Sequence, residues 1–363
     1  TESIVDKQIA GVRRWTIYDI AREAGVSAKT VSRVLNAKPG VSEPTRSRIL
    51  DIMRRVDYHP HMGARALRGK RQGCIGITVP APLDVAPLSQ SFFIWLFGEL
   101  FRVFGLSGEY LCFDMNPFAA SPNGDYARGL WQQLYKACII VGPLAIQDKA
   151  IYRVHESGLP YVVFGRLDGL PECSSATVDY EEGCYASTKY LLDRGHRRIA
   201  MLKAFSGYQP GLERRRGYLR AINEAGIEPD ETLIRSVDFG AQNIANVVHR
   251  LLARTDVTAL VDCSGTEDAR SLREGARRAG RVPGKDFEIV AWTYADDGAV
   301  LSEAAAHVWL PVREAASEGL EHLAAWVSGQ RNGPVKVLYR PVLHEKVTGG
   351  EVPKPRRLFD LLD

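Results

Sequence analysis

Polar side chains suited to binding DNA are concentrated in a short stretch near the start of the chain, residues 27–36. Their hydroxyl, ammonium, guanidinium and amide groups are those that bond phosphate oxygens and base edges. If AKTVSRVLN forms a helix, these groups share one side of it and aliphatic residues fall on the other. The polar set is Ser27, Lys29, Thr30, Ser32, Arg33 and Asn36, and the inward-packing set is Val31, Val34 and Leu35.

Three short helices are predicted to position this stretch. Thr16 with Asp19 three residues later is typical of a capping box that starts the first helix. Gly25 ends that helix, Ser27 can cap the second, and the third begins at Ser42. A helix, a glycine-containing turn and a second helix form the arrangement in which the second helix enters the major groove. An αα-hairpin with a polar outer face is the alternative.

Charge is distributed unevenly along the chain. The whole chain carries +4, but residues 13–71 hold 14 lysines and arginines against 5 acids, which makes this stretch +9. Residues 1–12 are −1, which leaves −4 for the remainder. The division predicts a polyanion-binding module attached to a body with another task. A basic solvated face is the alternative.

The linker HPHMGARALRGKRQG, residues 59–73, holds one large aliphatic side chain, Leu67, among positive charges. Residues 62–68 make fewer than two helical turns, so a helix there is expected to fold only when bound. Arg65, Arg68 and two further cations at positions 70 and 71 predict a phosphate affinity that falls steeply with salt. The alternative is that Leu67 merely anchors the linker to the body.

After residue 73, apolar strand-like runs alternate with helical stretches. This βαβ alternation predicts parallel sheets covered on both faces, and the stretch is too long for one sheet, so two sub-domains are expected. Six dispersed cysteines without a CxxC pattern indicate small buried hydrophobes rather than zinc ligands. The predicted strands are 74–79, 110–115, 137–142, 161–165, 176–179, 198–203, 259–263, 288–292 and 307–311.

Several classes of protein are disfavoured by missing patterns. The chain has no P-loop, GxGxxG, GxSxG or HExxH motif, so neither an enzyme nor a cofactor or metal site is predicted. An α/β enzyme remains an alternative on fold grounds alone. The apolar stretch 91–106 is short for a membrane span and includes Glu99 and Arg102, so we expect an amphipathic helix packed in a core or against a partner subunit. A cytoplasmic location is expected, because no signal-peptide pattern is present.

The stretch TIYDIAREAGVSAKTVSRVLN, residues 16–36, closely resembles the DNA-binding headpiece of the LacI/GalR family of bacterial transcription regulators. The resemblance continues in VSEPTR, YHP, ARALRGK, ATVDYEEGCYASTKYLLDRGHRRIAML (176–202), ERRRGYLRAINEAGI (213–227) and the run from Val257 to Trp292. It implies an α/β protein with a three-helix helix-turn-helix headpiece and a bilobal, periplasmic-binding-protein-like body of two Rossmann-like sub-domains. The implied divisions are a flexible extension (1–14), the headpiece (15–58), a hinge helix and linker (59–72), the body (73–350) and a tail (351–363).

The resemblance also implies how DNA is bound. The expected unit is a homodimer on a pseudo-palindromic double-stranded operator, joined through the apolar helix at 91–104. Ala28, Lys29 and Arg33 match positions that read bases, and Leu67 matches the wedge that kinks the duplex from the minor groove. Backbone-contacting positions are Thr16, Ser27, Ser42 and Thr45, and the remaining predicted DNA-binding residues are Thr30, Ser32, Asn36, His61, Ala64, Arg65 and Arg68.

A small-molecule effector is implied in the cleft between the sub-domains. Arg214 matches the arginine that grips the ligand, and Phe239 matches the aromatic residue that stacks on it. Phe92 and Phe93 match a pair at the cleft wall. An arginine with stacked aromatics suits a sugar.

The remaining cleft positions depart from the family pattern. Ser264 stands where the family usually has an asparagine, and Thr293 and Gly165 stand where it has aspartates. Leu310 replaces a frequent glutamine, and Arg166 follows the altered Gly165. Two carboxylates are therefore missing while two arginines remain.

Three interpretations of this cleft stay open. An ordinary sugar binds through other groups, such as Asp262 or Tyr294. Alternatively, the ligand is acidic, such as a uronic acid or a phosphorylated sugar, because Arg166 and Arg214 would face an anion without competing carboxylates. In the third interpretation the cleft has lost its ligand.

The expected function is sequence-specific regulation of transcription of a carbohydrate-related operon, with repression as the family's common mode. The effector shifts the angle between sub-domains and thereby the spacing of two headpieces, which requires different affinities for the two states. An architectural DNA-binding protein without an effector is a further alternative, although it would need no bilobal body. The short tail after residue 350 leaves no room for tetramerising heptads, so a dimer is expected.

Overall fold

The computed structural model describes residues 15–35, 38–58, 73–80, 90–114, 125–204, 206–237, 241–265, 269–293 and 301–345. For residues 90–92, 106, 241 and 242 it describes the backbone alone. The chain divides into two compact units, Thr1–Gln72 and Gly73–Asp363. The predicted extension (1–14), linker (59–72) and tail (351–363) lie outside the described residues.

The described part of the first unit, residues 15–35 and 38–58, forms three helices, as predicted. Its core is formed by Ile20, Val31 and Ile49, one from each helix and each fully buried, with smaller residues around them. About 45 residues bury only a small core, which makes helix caps important for its stability. The helices are α1 (Ile17–Glu23), α2 (Ala28–Leu35) and α3 (Glu43–Arg55).

Side-chain caps fix the turn between α1 and α2. The Thr16 hydroxyl accepts the Asp19 N–H at 3.3 Å, and the Asp19 carboxylate accepts the Thr16 N–H at 2.9 Å, so the predicted capping box is confirmed. The Ser27 hydroxyl accepts the Thr30 N–H at 3.1 Å at the start of α2. Gly25 takes a φ of +65° in the turn, a left-handed conformation that glycine adopts without strain. These contacts set the direction in which α2 leaves the turn.

The second unit contains two six-stranded sheets, which we call the first lobe and the second lobe. The sheet of the first lobe is wholly parallel, in the order β11-β5-β4-β3-β1-β2. Its elements are β1 (Cys74–Thr78), α4 (Gln90–Phe104), β2 (Leu111–Asp114), α5 (Arg128–Trp131), β3 (Tyr135–Ile140), α6 (Ala150–Glu156), β4 (Tyr161–Val163), β5 (Ser175–Val178), α11 (Val312–Val327) and β11 (Lys336–Tyr339).

The sheet of the second lobe has the order β12-β10-β9-β8-β6-β7 and is parallel except for β12, which pairs antiparallel with β10. Its elements are α7 (Tyr180–Asp193), β6 (Ile199–Lys203), α8 (Gln209–Glu224), β7 (Ile234–Ser236), α9 (Ala241–Leu252), β8 (Ala259–Cys263), α10 (Ala269–Arg278), β9 (Glu288–Thr293), β10 (Ala306–Trp309) and β12 (Val342–Glu345).

Each lobe has three layers, with helices on both faces of its sheet. In the first lobe α4 and α11 cover one face and α5 and α6 cover the other. In the second lobe α7 and α8 cover one face and α9 and α10 cover the other. Gly217 lets α7 and α8 approach closely, because a Cβ there would lie 2.0 Å from the Glu181 carbonyl oxygen. The prediction of doubly covered, mainly parallel sheets is confirmed.

The chain passes between the lobes three times, at Asp179, at Leu310–Pro311 and at Arg340–Pro341. Strands β7, β11 and β12 were not predicted, since each is short and its sequence lacks a long apolar run. Strand β12 lies at a sheet edge, where one antiparallel strand is common in an otherwise parallel sheet. Among the described residues no helix combines the length and apolar character that crossing a membrane requires.

Candidate nucleic-acid interface and ligand cleft

The outer face of α2 presents two cations side by side. Lys29 and Arg33 are both exposed, and their four-residue spacing places them on the same face of the helix. Ala28, Thr30 and Ser32 are half-buried along the same helix. Because Val31 and Val34 hold the opposite face in the core, this cationic face is fixed outward. It has the charge and the hydrogen-bond donors needed to contact phosphates and base edges.

The other predicted hydroxyls surround the ends of α2 and α3. Ser27 and Thr30 share a hydrogen bond of 2.9 Å, and Ser42 and Thr45 share another of 2.9 Å. The hydroxyls of Ser27 and Ser42 are exposed at helix starts, where backbone N–H groups also favour an anion. Asn36, His61, Ala64, Arg65, Leu67 and Arg68 lie outside the described residues.

In the second unit, the carboxyl ends of the two sheets face each other. The Gln209 N–H donates to the Leu144 carbonyl at 2.9 Å, joining the start of α8 to the loop after β3. Ala145 and Tyr208 form an isolated antiparallel bridge beside this bond. Ligands of open α/β sheets bind outside the carboxyl ends of the strands. The cleft between the lobes is therefore the candidate ligand site.

Arg214, predicted to grip the ligand, is fully buried on α8 beside this cleft. Its guanidinium carbon lies 4.5 Å from the Tyr180 ring centroid and 5.1 Å from the Trp292 ring centroid. The two rings stack at 6.2 Å, and the Trp292 indole N–H donates to the Ser187 hydroxyl at 2.9 Å. Arg214 is thus held on aromatic faces by cation–π contacts.

One of the three interpretations of the cleft assumed that Arg166 has no competing carboxylates, and this assumption is wrong. Its Nε donates to Oε1 of Glu213 at 2.8 Å, and its Nη2 donates to the Asp179 carboxylate at 3.3 Å. Glu213 comes from α8 of the second lobe and Asp179 from a crossing between lobes. Two acids that were not among the predicted cleft residues therefore compensate the charge of Arg166.

Burial and charge act against each other in this pair. Burial raises the pKa of Glu213, and the nearby Arg166 and Gln209 lower it only in part. For Arg166, burial disfavours the charged form, but Glu213 and Asp179 outweigh it and raise the pKa of the arginine. The Glu213 side chain is 1% exposed and that of Arg166 28% exposed, so the pair is largely shielded from solvent.

A second ion pair crosses between the lobes nearby. Arg216 pairs with Asp168 in the loop after β4 and donates from Nε to Glu181 at 2.8 Å. Arg216 lowers the pKa of Asp168 against the opposing effect of burial. Together with the Arg166–Glu213 pair, this contact links α8 to the first lobe.

Other predicted cleft residues lie at the strand ends but are engaged internally or buried. Asp262 accepts hydrogen bonds from the Ser264 N–H at 3.1 Å and the Ser264 hydroxyl at 2.6 Å. Thr293 and Leu310 are buried, and Phe93 is half-buried on α4. Phe239, Tyr294 and the side chain of Phe92 lie outside the described residues.

Sequence reasoning missed five residues of the cleft: Lys203, Asp179, Tyr180, Glu213 and Trp292. Most stand at or just after the carboxyl end of a predicted strand, a position that was available as a signal. Glu213 precedes the predicted Arg214 directly. Within the described part of the chain, no group of three or more histidines, cysteines or acids could hold a metal ion.

One face of α4 is apolar and exposed. Ile94 is 72% exposed, Phe97 54% and Phe101 74%, while Leu96 and Leu100 on the opposite face are buried in the first lobe. The prediction of an amphipathic helix is confirmed. Large contiguous apolar surfaces of this kind usually mark a protein interface.

Comparisons with known proteins agree with this architecture. Residues 16–61 match the family described as bacterial regulatory proteins, lacI family, and residues 188–348 match a periplasmic binding protein-like domain. The transcriptional regulator RegA of Clostridium saccharobutylicum is 30% identical over 284 residues, which are 76% of this chain and 82% of RegA.

Solved structures show the same fold. A complex of the transcriptional regulator CelR with cellobiose has a TM-score of 0.61 at 25% identity and covers 91% of this chain and 98% of that one. The lac repressor dimer bound to operator and an anti-inducer has a TM-score of 0.70 at 21% identity and covers 92% and 98%. With the helix-turn-helix unit and the bilobal body in place, the chain belongs to the LacI family of bacterial regulatory proteins and is a DNA-binding transcription regulator, not an enzyme.

Proposed function

We propose that this regulator represses a carbohydrate-related operon and is controlled by a small sugar or sugar acid bound between its lobes. The observation that carries the proposal is the outward-facing pair Lys29 and Arg33 on a capped second helix, combined with a body that has a ligand cleft. The cellobiose bound to CelR supports a carbohydrate effector. The proposed place of action is the bacterial cytoplasm, at the nucleoid.

At the DNA, α2 reads the half-site. Lys29 and Arg33 bond base edges in the major groove, with Ala28 contacting a base at the start of the helix. The hydroxyls of Thr16, Ser27, Ser42 and Thr45, together with Thr30, Ser32 and Asn36, hold the phosphate backbone.

Between the two units, residues 62–68 form the hinge helix in the minor groove when DNA is bound. Leu67 opens the central base step, and Arg65 and Arg68, with His61 and Ala64, line the groove. Leu67→Ala should then reduce both affinity and DNA bending, measured by a circular-permutation mobility assay. Unchanged bending would show that the segment is only a tether.

The functional unit is a homodimer on a pseudo-palindromic operator. The exposed apolar face of α4 supports this proposal, because pairing of two such faces about a two-fold axis removes the apolar surface from water. A two-fold protein axis matches two half-sites related by the same symmetry.

Effector binding is proposed at the facing carboxyl ends of the two sheets, beside Arg214. The ion pairs of Arg166 and Arg216 span the same cleft, so a ligand that moves the lobes must strain or reset them. Asp262, Ser264, Thr293 and Tyr294 on the second lobe and Phe92 and Phe93 on the first complete the proposed site, with Phe239 as the stacking ring.

Fluorescence anisotropy of the full chain on the DNA flanking its own gene tests the function. We expect tight, salt-sensitive binding to one segment, with an affinity that a sugar or sugar acid changes by about 5- to 150-fold. Binding of all segments with equal affinity would contradict sequence-specific regulation.

A further inference from the structure

Lys203 is a buried cation at the ligand cleft that sequence reasoning did not use. It is the last residue of β6 and is 8% exposed. Along the strand it shares a face with Ile199 and Met201, whose side chains pack under α7 and α8. The lysine therefore projects toward the N-terminal half of α8, where Arg214 lies.

Among the described residues, the groups that act on the pKa of Lys203 are one thiol and two guanidinium groups, and none is an acid. Cys263 is its register partner on β8. Burial lowers the pKa of Lys203; the neighbouring Cys263 opposes this effect, and Arg214 and Arg215 add to it. Arg215 is paired with Glu231, which leaves its charge compensated. The Lys203 carbonyl accepts the Val237 N–H at 2.8 Å, but among the described residues the Lys203 ammonium makes no hydrogen bond or ion pair.

Two other lysines of the body have protein partners for their ammonium groups. Lys336 donates to the carbonyls of Pro171 and Cys173, and Lys189 pairs with Asp193. A buried ammonium without an acceptor or counter-charge is strongly disfavoured. A second cation close by increases that cost. The arrangement is therefore suited to a counter-charge that a ligand brings.

Arg166 does not need a counter-charge from a ligand. Glu213 and Asp179 already compensate its charge. The cationic part of the cleft consequently lies on the second lobe, at the carboxyl end of β6 and along α8, and not beside the loop after β4.

We propose that the effector carries an anionic group, a carboxylate or a phosphate, and that Lys203 and Arg214 bind this group at the carboxyl end of the second sheet. The inference rests on the proposed function, since it assigns a chemical class to the effector of the same cleft. Lys203 provides a compact point charge, and Arg214, fixed against Tyr180 and Trp292, provides a planar donor set.

Calorimetry with matched ligands tests the proposal on the full chain. The probes are D-glucuronate against D-glucose, D-galacturonate against D-galactose, and the 6-phosphates of both sugars. We expect one acidic probe to bind at least about tenfold more tightly than its neutral parent. The carboxylate and phosphate arms distinguish a uronic acid from a sugar phosphate.

Variants of Lys203 separate ligand binding from folding. Lys203→Met should lower the affinity for the acidic probe at least about tenfold and leave the affinity for the neutral parent within about twofold. Lys203→Arg should keep part of the acidic affinity. Lys285→Met, at an exposed site, is the matched control and should change neither. The melting temperature of unliganded Lys203→Met should equal or exceed that of the wild type, because a buried charge is removed.

Inorganic phosphate, used as a generic anion, tests the proposal if no sugar probe binds. The melting temperature should be higher in inorganic phosphate than in chloride at matched ionic strength. Lys203→Met should abolish this difference. The proposal is overturned if neither phosphate nor any acidic probe shows a Lys203-dependent effect, or if only neutral sugars bind.

DNA binding measured in parallel distinguishes the two proposals. If a neutral sugar alters operator affinity independently of Lys203, the anionic effector is wrong and the proposed regulation stands. If an acid binds through Lys203 without changing DNA affinity, the anion site stands and the proposed regulation by this ligand is wrong.

Discussion

The Nε of Arg166 donates a hydrogen bond of 2.8 Å to Oε1 of Glu213, and this bond joins the first lobe to the second. Glu213 directly precedes Arg214, the arginine expected to hold the ligand. It compensates the charge of Arg166 from within the protein and ties α8 to the loop after β4. Movement of one lobe against the other must therefore change the environment of this pair.

Arg166→Met should destabilise the body, because it leaves the Glu213 carboxylate buried without its partner. We expect a loss of about 2 kcal/mol in the free energy of unfolding, below the roughly 3–5 kcal/mol of a fully buried pair, since Arg166 is partly exposed. Urea denaturation of the body measures it.

The double variant Arg166→Met/Glu213→Gln should recover most of that loss, because no buried charge remains at position 213 and Asp179 keeps the hydrogen bond from the Glu182 N–H. Arg215→Met is the control: its partner Glu231 is 60% exposed, and exposed pairs contribute little. Equal losses in Arg166→Met and Arg215→Met would show that the Arg166 pair has no special role.

Stability should depend on pH through Glu213. Burial raises its pKa, so the folded chain retains this proton to higher pH than the unfolded chain. Protonation of Glu213 therefore contributes to the free energy of unfolding. This contribution is present in full below the ordinary glutamate pKa of about 4.3 and is lost as pH rises through the raised pKa. Glu213→Gln cannot titrate, so the stability of the wild type minus that of this variant should fall over that range. Denaturation curves at several pH values measure the difference, and a difference that rises with pH would contradict the assignment.

Lys29→Ala should weaken binding to the preferred operator by about 1–3 kcal/mol and relax base preference at one position of each half-site. The reason is the proposed contact between this exposed cation on the outer face of α2 and a base edge. Anisotropy with single-base operator variants measures this. Arg54→Ala, whose side chain is 77% exposed at the far end of α3, is the control and should leave base preference unchanged. A uniform loss on every sequence would make Lys29 a phosphate contact.

Phe101→Asp should convert the dimer to a monomer. The ring is 74% exposed on the apolar face of α4, and a carboxylate there cannot be buried between subunits. Multi-angle light scattering should report the mass of one chain, with weaker operator binding. Val282→Asp, at a 53% exposed site elsewhere, should leave the dimer intact. A stable tetramer in the wild type would be incompatible with the proposed assembly.

Thr16→Ala should destabilise α1 by about 1 kcal/mol, because it removes one half of the capping box. Faster amide exchange in α1, measured by mass spectrometry on the full chain, is the expected sign. Thr16→Ser keeps the hydroxyl and should exchange almost as slowly as the wild type. Unchanged exchange in Thr16→Ala would mean that packing alone holds the helix start.

Much of the fold could be predicted from residue patterns in the sequence. The helical spacing of Ile17, Ile20 and Ala21 and the Thr16–Asp19 pair predict α1 with its cap, and nine apolar runs predict nine strands. Strand β12 escaped prediction because its partly buried residues do not form an apolar run, and its antiparallel pairing depends on a crossing between lobes.

The cleft was less predictable for a physical reason. The positions of Arg166 and Arg214 follow from local motifs, but the partner of an arginine is set by tertiary packing across 47 residues of sequence, as with Glu213. Lys203 is the last residue of the predicted strand 198–203, and its burial depends on the tertiary packing around that strand end. Charge balance inside a cleft cannot be read from residue types at aligned positions alone.

Selection of binding sites from a random duplex pool, using the purified full chain, tests the central claim most directly. The account predicts enrichment of one pseudo-palindromic site by the wild type, and Arg33→Ala should change the preferred base at one symmetric position of both half-sites. No enriched sequence, or the same sequence enriched unchanged by Arg33→Ala, would contradict the claim that α2 reads the operator.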